Sequence, residues 1–208
     1  MEMKKIILAI MAIASLAGTT TAFASDDGWY LFGAVGQTTG SGVKPMLDYQ
    51  LTSAGKNGFS SSMSTPTVYN LDVGYQINKN LAFEGGFIGS SYETYGASGG
   101  NIAGSATASA RINGWTFVAV GMLPLTNQFS LLGKLGVADI QVTAAVTGLG
   151  SSYNYISGIK TDITYGVGAK YDFNNAVSMR LDLDSYNVGS SFSSSRCSVW
   201  TVGVGYKY

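Results

Sequence analysis

The residues most able to take part in a chemical reaction are carboxylates spaced two positions apart. Asp182 and Asp184 are separated by one residue, and on a β-strand this spacing places both side chains on the same face. Such a pair can carry out acid–base chemistry. The chain contains no histidine, however, which excludes a serine nucleophile activated by histidine and a zinc site built on histidine. We therefore predict a non-enzymatic protein without a cofactor or a metal site, in which these charges have a structural use.

Charged residues elsewhere follow the same alternation. Residues two apart in an extended segment share one face, and the charges fall on the face that is rich in Gly, Ser and Thr. The opposite face is apolar and nearly free of charge, with Asp139 near the end of a segment as the exception. The residues predicted to share the polar face, as an inward salt-bridge plug, are Asp72, Glu84, Lys134, Lys170, Arg180, Asp182, Asp184 and Lys207.

This distribution of charge decides between water and lipid as the surroundings of the apolar face. A soluble β-sandwich also alternates, but its solvent-exposed face would carry many Lys and Glu residues, whereas this polar face is small and Gly-rich. In a transmembrane barrel, a charge facing lipid costs about 2–4 kcal/mol at the bilayer midplane. Small inward residues also let eight strands close around a narrow interior. The pattern therefore favours a barrel in lipid.

Eight segments have the alternation and roughly the length of tilted transmembrane strands. We predict strands over residues 29–37, 67–77, 81–91, 112–123, 128–140, 159–171, 177–186 and 198–208. Short connections alternate with long ones over 38–66, 92–111, 141–158 and 187–197. Short periplasmic turns and long extracellular loops are typical of outer-membrane barrels. The predicted fold is an all-β, eight-stranded antiparallel up-and-down transmembrane barrel formed by residues 25–208.

The N-terminal residues predict export from a Gram-negative-type bacterial cytoplasm. Lys4 and Lys5 precede an apolar run over 6–17, and Ala22-Phe23-Ala24 forms a small-x-small motif. This is the pattern of a secretory signal peptide, predicted over residues 1–24. A short membrane anchor is the alternative, although the run is shorter than the ~20 residues that a spanning helix needs. No later stretch of 18 apolar residues occurs, so membrane contact would depend on strands.

Composition restricts the classes of partner. The chain has 12 basic and 12 acidic residues and a formal net charge of zero, and the absence of a basic stripe argues against nucleic acid. The single cysteine, Cys197, cannot form an internal disulfide. We interpret it as a small packed residue, with a reactive thiol as the alternative.

Aromatic residues near the ends of the predicted strands form two candidate interfacial girdles, as in many membrane proteins. If the short turns are periplasmic, one girdle lies at the periplasmic interface and the other near the outer interface. The periplasmic candidates are Trp29, Tyr75, Phe129, Tyr171, Tyr206 and Tyr208, and the outer candidates are Trp115, Tyr165 and Trp200.

Three stretches carry a family resemblance: "WYLFGAVG" in the first strand, "VGYQINKNLAFEGGF" across the second and third, and "GVGAKYDFNNAVSMRLDLDSY" across the sixth and seventh. With the order of turns and loops, they resemble the OmpA-like transmembrane barrel family. The resemblance implies an eight-stranded barrel with a plugged, polar interior. The family's small adhesin and serum-resistance barrels, which consist of the barrel alone, are the nearest in architecture.

The resemblance also implies an arrangement of the inward charges. Glu84 would face Arg180, with Lys170 nearby and Lys134 as another inward base. The chain departs from the family pattern on the fourth strand, where apolar Val118 and Val120 point inward and no base occurs. In that case Asp72, Asp182 and Asp184 would take up the remaining cations.

The last nine residues, "WTVGVGYKY", resemble an outer-membrane assembly signal. The matching positions are Thr201, Gly203, Tyr206 and Tyr208, with Tyr in place of the usual final Phe. The predicted partners are therefore the barrel-insertion machinery and periplasmic chaperones during biogenesis, and outer-membrane lipids and lipopolysaccharide afterwards.

Two functions follow as predictions for a monomeric barrel. The first is a structural and surface-interaction role: envelope integrity, with loops that serve adhesion or immune evasion. The second is a narrow or gated channel for small or hydrophobic molecules. The loops are rich in Gly, Ser, Thr and Asn, so a polar surface without any partner is the alternative to a binding face. The apolar inward residues that would line a channel, or simply pack, are Phe32, Val118, Val120, Met122 and Leu132.

Overall fold

The computed structural model describes residues 27–39, 48–49, 51–53, 55–101, 105–148, 151–156, 160–187 and 196–208. The predicted signal peptide over 1–24 lies outside the described residues. Residues 48–49 and 51–53 are helical, and no helix among the described residues is long and apolar enough to cross a membrane.

In the described parts of the chain, eleven β-strands form a single antiparallel sheet. Their bounds are β1 Gly28–Thr39, β2 Ser60–Met63, β3 Thr67–Asn78, β4 Leu81–Ser90, β5 Glu93–Ser98, β6 Ser105–Pro124, β7 Phe129–Gly148, β8 Ser151–Ile156, β9 Lys160–Asp172, β10 Val177–Asn187 and β11 Arg196–Lys207. Eight of them, β1, β3, β4, β6, β7, β9, β10 and β11, pair in a closed ring because β6 also pairs with β7. The predicted eight-stranded antiparallel barrel is confirmed, and ring closure leaves these strands no open edge.

The pairing registers fix the geometry of the ring. A circuit that starts at Trp29 and follows the paired residues around all eight strands returns to β1 at Thr39, ten residues farther along. This offset is the shear of the barrel, and with eight strands it corresponds to a strand tilt of about 40°. The tilt brings residues that are distant in register to the same height inside the lumen.

The short connections and both ends of the described chain lie at one end of the barrel, the turn end. Tyr208 donates its backbone N–H to Trp29 O at 3.0 Å. Side chains close the turns: Asn174 Oδ1 accepts the N–H groups of Ala176 and Val177 at 2.9 and 2.8 Å, and Thr126 Oγ1 accepts the Phe129 N–H at 2.9 Å. Such side-chain acceptors are typical of tight turns.

At the opposite end, the loop end, the structure corrects the predicted strand limits. The strand predicted over 112–123 begins at Ser105, the strand predicted over 128–140 continues to Gly148, and β2, β5 and β8 lie in connections predicted to be loops. Beyond the lipid, outward positions no longer need apolar side chains. The hydropathy alternation therefore stops in "SATASA" at 105–110, although the strand continues.

These extensions continue the same sheet above the ring. Residues 105–110 of β6 pair with β5, residues 143–148 of β7 pair with β8, and β2 pairs with β5. Since β6 and β7 remain paired as far as Thr107 and Thr147, the order at the loop end is β2-β5-β6-β7-β8. We call this five-stranded extension the loop-end sheet.

Candidate functional site: the closed lumen

Six charged side chains meet in the middle of the lumen, and we call them the central cluster: Asp72, Glu84, Lys134, Arg180, Asp182 and Asp184. All six are buried, and they come from strands β3, β4, β7 and β10. The cluster contains four carboxylates and two cations, so the pairing of each cation decides how the charges are balanced.

Arg180 is the centre of the cluster. Its guanidinium donates to both carboxylate oxygens of Glu84, at 2.5 and 3.2 Å, and its Nε donates to Asp182 Oδ2 at 2.7 Å. The guanidinium carbon also lies 3.8 Å from the ring centroid of Phe32. Three carboxylate oxygens and one aromatic face thus hold the guanidinium in place, a geometry that suits its planar fork.

Lys134 is the second cation. Its Nζ lies 2.9 Å from Asp184 Oδ2 and 3.5 Å from Asp182 Oδ2. Asp182 therefore connects the two cations, and the carboxylates of Asp184 and Glu84 complete a chain of ion pairs across the lumen. Asp72 forms no ion pair with any described residue, although it is buried beside this series of ion pairs.

Glycines make room for three of these carboxylates. Asp72 pairs in register with Gly86, Asp182 with Gly168, and Asp184 with Gly166. In each case a Cβ placed on the glycine would collide with the Oδ1 atom of the opposite aspartate. The Gly-rich polar face is therefore a steric requirement of the central cluster, because each acidic side chain lies flat across the backbone of the neighbouring strand.

Two of the predicted plug residues lie apart from the central cluster, toward the turn end. Lys170 is directly opposite Arg180 in register, but its Nζ pairs with Asp172 Oδ1 at 2.9 Å. Asp172 lies two residues from Lys170 on the same face of β9 and supplies this carboxylate locally. Lys207 Nζ donates to Gln76 Oε1 at 3.4 Å.

Below the central cluster, at the turn end, lies a cavity of about 220 Å³, the vestibule. Polar residues line much of it, including Lys170, Lys207 and Asn174, and Arg180 forms part of its inner end. Four of the five apolar residues predicted to point inward border it: Phe32, Val120, Met122 and Leu132. The fifth, Val118, packs in one cluster with Val120 and Leu132.

Above the central cluster, toward the loop end, the lumen is filled by hydrophobic side chains. This apolar stopper consists of Val68, Ile88, Ala138, Ile140, Tyr186, Cys197 and Val199. Ile112 and Val142 pack against it. Cys197 is a free, buried thiol within the stopper, as expected for a small packed residue. Between the stopper and the central cluster remains a cavity of only about 10 Å³.

The predicted girdle residues lie on the outside of the barrel. Trp29, Tyr75, Trp115, Tyr171 and Trp200 are all exposed, with Trp115 the most exposed at 66%. The Trp29 and Tyr75 rings are in edge contact, with centroids 5.1 Å apart.

The residues of the proposed assembly signal occupy both faces of β11. Thr201 and Gly203 point inward and are buried, whereas Tyr208 is exposed. The Tyr206 and Tyr208 rings meet edge to face at the turn end, with centroids 5.3 Å apart.

The loop-end sheet has its own small core. Tyr95 and Ala97 of β5 are buried against Leu51, Phe59 and Met63 from the first long connection. The Tyr95 hydroxyl donates to Asp48 Oδ1 at 2.6 Å. Burial and this hydrogen bond raise the pKa of Tyr95 to about 12.

Polar contacts tie the same two connections together. Asn101 Oδ1 accepts the N–H of Asn57 at 2.7 Å, and Asn101 Nδ2 donates to Gly55 O at 2.7 Å. These contacts join described residues of the first two long connections to each other.

The predicted plug residues did not include two side chains that lie in the lumen. Tyr30 donates its hydroxyl to Glu84 Oε1 at 2.7 Å, and Asn70 is buried beside Asp72. Both lie at positions whose strand parity points inward, which is the one signal that could have identified them. Among the described residues, no group of three or more His, Cys, Asp or Glu side chains has the arrangement of a metal site.

Comparisons with known proteins agree with this architecture. No curated protein matches the chain. Among solved structures, Ail, the attachment invasion locus protein of Yersinia pestis, is similar with 16% identity and a TM-score of 0.50, covering 88% of this chain and 97% of that one. Neisserial surface protein A is similar with 18% identity and a TM-score of 0.49, covering 88% and 98%.

At these identities the likeness concerns the fold alone. The sequence itself matches the model of the outer membrane protein beta-barrel domain over residues 7–208, nearly its full length. The chain therefore belongs to the family of outer-membrane β-barrel domain proteins.

Proposed function

We propose that this protein is a closed scaffold of the outer membrane that supports envelope integrity and presents its loop end for surface interaction, in adhesion or immune evasion. The observation that carries the proposal is closure of the lumen at two successive levels. The central cluster fills the middle, and the apolar stopper fills the half toward the loop end. A path for solutes would have to displace both.

The loop end supports the interaction part of the proposal. A surface that is ordered before binding loses less conformational entropy when a partner binds. The contacts of Tyr95 and Asn101 join described residues of the first two connections without a partner. The paired segments of the loop-end sheet contain one charged residue, Glu93. The partner would accordingly be recognised through hydroxyl, amide and backbone groups rather than by charge. The name of the similar attachment invasion locus protein accords with a surface role.

The remaining partners follow from the membrane setting. Residues 1–24 would be removed as a signal peptide during export. The outward aromatic girdles would contact outer-membrane lipids and lipopolysaccharide. The last nine residues would be recognised by the insertion machinery after periplasmic chaperones deliver the chain. The mature protein would act as a monomer.

Two measurements test the proposal. In planar bilayers, the purified protein is expected to show no steady single-channel openings, and regular openings would refute the closed scaffold. On the surface of a non-adherent bacterium, the protein is expected to increase binding to host cells or matrix. Tyr95→Ala should reduce this binding because it removes the core of the loop-end sheet. Leu131→Ala, an outward barrel variant, is the matched control and should bind as the parent does.

A narrow channel is the second candidate, and the vestibule favours it. Its 220 Å³ reach inward from the turn end and are bordered by Phe32, Val120 and Leu132. For transport, the Glu84–Arg180 pair and the apolar stopper would have to open. Under this candidate, the double variant Ile140→Ala/Val199→Ala should show a higher conductance than the parent, because it removes side chains from the apolar stopper. A closed scaffold would remain silent.

A further inference from the structure

The small cavity between the central cluster and the apolar stopper is lined by more acidic than basic side chains. Its walls include Asn70, Asp72, Lys134, Thr164 and Asp184. Lys134 is the only cation among them, and it is already engaged by Asp184 and Asp182 at 2.9 and 3.5 Å. The other cation of the cluster, Arg180, is engaged by Glu84 and Asp182.

Charge in this part of the lumen is therefore not balanced by the side chains. With all six members of the central cluster ionised, four carboxylates face two cations. Buried charges without a partner are costly, and buried carboxylates normally occur with a counter-charge. The ionised cluster therefore carries an excess of two negative charges. Asp72 is the carboxylate that forms no ion pair with any described residue, although only 6% of it is exposed, so one of the two excess charges lies here.

An independent observation points to the same place. Asn70, two residues before Asp72 and on the same face, is 9% exposed, and its Oδ1 atom has no hydrogen-bond donor among the described residues. Asn70 also lines the cavity. A carboxylate and an amide oxygen thus border one narrow space. Among the described residues the Asp72 carboxylate forms no ion pair, and the Asn70 Oδ1 atom accepts no hydrogen bond.

We propose that this cavity binds one monovalent cation of the size of sodium, held by the Asp72 carboxylate and the Asn70 carbonyl oxygen. Oxygen ligands of this kind suit hard alkali and alkaline-earth ions rather than transition metals. A volume of about 10 Å³ accommodates one water-sized species.

Further oxygen atoms for the ion are available on the walls of the cavity, which also include Glu84, Thr164 and Asp184. Magnesium usually retains several waters, and a cavity for one water-sized species leaves no room for them. A single positive charge suits a site whose other carboxylates already pair with Lys134 and Arg180. The proposal does not depend on the surface role of the loops.

Cation-dependent stability tests the site. The protein is unfolded and refolded into detergent at pH 8 in NaCl or in N-methylglucamine chloride, with ionic strength held constant, and Tm is measured from heat-modifiable gel mobility. A ligand that binds only the folded state stabilises it in proportion to the logarithm of its concentration. Tm should therefore rise by about 3–6 °C for each tenfold increase in sodium above the dissociation constant.

Variants localise the effect. Asp72→Asn should fold and lose the sodium dependence, because it removes the charge and retains the shape. Asn70→Leu should weaken the dependence of Tm on sodium. If Asp72→Asn does not fold, the Asn70→Leu variant tests the site in its place. Asp172→Asn is the matched control: its carboxylate pairs with Lys170 at the turn end, so the sodium dependence should remain.

Three outcomes would overturn the site. An equal Tm in sodium and N-methylglucamine would mean that the cavity holds water only. A second outcome is a Tm that does not depend on sodium but rises when the pH is lowered from 8 to 6. If this rise requires Asp72, a proton rather than a cation balances its carboxylate. Stabilisation by calcium or magnesium but not by sodium would refute a monovalent site.

Discussion

Replacing Arg180 by methionine is the most direct test of how the lumen is held closed. The substitution retains an unbranched side chain but removes the guanidinium that joins Glu84, Asp182 and the ring of Phe32. Both carboxylates would stay buried without their main cation. The perturbation therefore creates uncompensated charge rather than a cavity.

The expected cost follows from these contacts. Removing one partner of a buried ion pair costs about 3–5 kcal/mol, because the other charge remains buried. Loss of a desolvated contact between a cation and an aromatic ring adds up to about 2 kcal/mol. The contributions share one guanidinium and do not add fully, so the free energy of unfolding of Arg180→Met should fall by about 4–6 kcal/mol.

Urea unfolding in detergent micelles measures this change, with tryptophan fluorescence and heat-modifiable gel mobility as independent signals. Lys170→Met is the matched control. Its ion pair with Asp172 at the turn end is partly exposed, and exposed pairs contribute roughly 0–1 kcal/mol.

A double variant separates ion pairing from general damage. In Glu84→Gln/Arg180→Met both partners are replaced, which in buried pairs is often close to neutral. The double variant should therefore be more stable than Arg180→Met alone, with a favourable coupling energy in the double-mutant cycle. Strictly additive losses, or a loss below about 1 kcal/mol for Arg180→Met, would refute the reasoning.

Three further predictions concern other parts of the barrel. Gly168→Ala should destabilise the fold and lower Tm, because its Cβ collides with Asp182, whereas Gly133→Ala meets no atom within 4 Å and should leave Tm unchanged. Leu181→Arg, at an outward position 52% exposed, should lower the free energy of unfolding in lipid by about 2–4 kcal/mol, and an unchanged value would argue against a lipid-facing surface there. Deletion of Tyr208 should reduce assembly in cells more than refolding in detergent; equal effects on both would contradict its role as a signal.

The sequence was sufficient to predict the ring because lipid imposes one rule on every strand within it. Leu181 and Leu183 must face outward, so Arg180, Asp182 and Asp184 must face inward, and the same parity holds on each neighbouring strand. Above the lipid this rule no longer applies. The strand positions from Ser105 to Ala110 thus gave no periodic signal, and the loop-end sheet could not be predicted.

It was harder to predict which side chains contact each other across the lumen than to predict which side chains point into it. Which inward side chains meet depends on the shear of ten residues, and shear follows from all eight registers together rather than from any one strand. The contact of Glu84 with Arg180 came from family resemblance, and the structure shows it. The expected place of Lys170 near that pair was less accurate, because the local carboxylate of Asp172 holds its ammonium.

The structure separates the parts that close the barrel from the parts that form its loop end. Every member of the apolar stopper, from Val68 to Val199, belongs to a strand of the ring. The core around Tyr95, in contrast, is built from β2, β5, the outer part of β6 and the first long connection. Because the two cores share no side chain, substitutions around Tyr95 can alter the outer surface without removing a contact from the lumen. A scaffold with this division can change its loops while its closure stays intact.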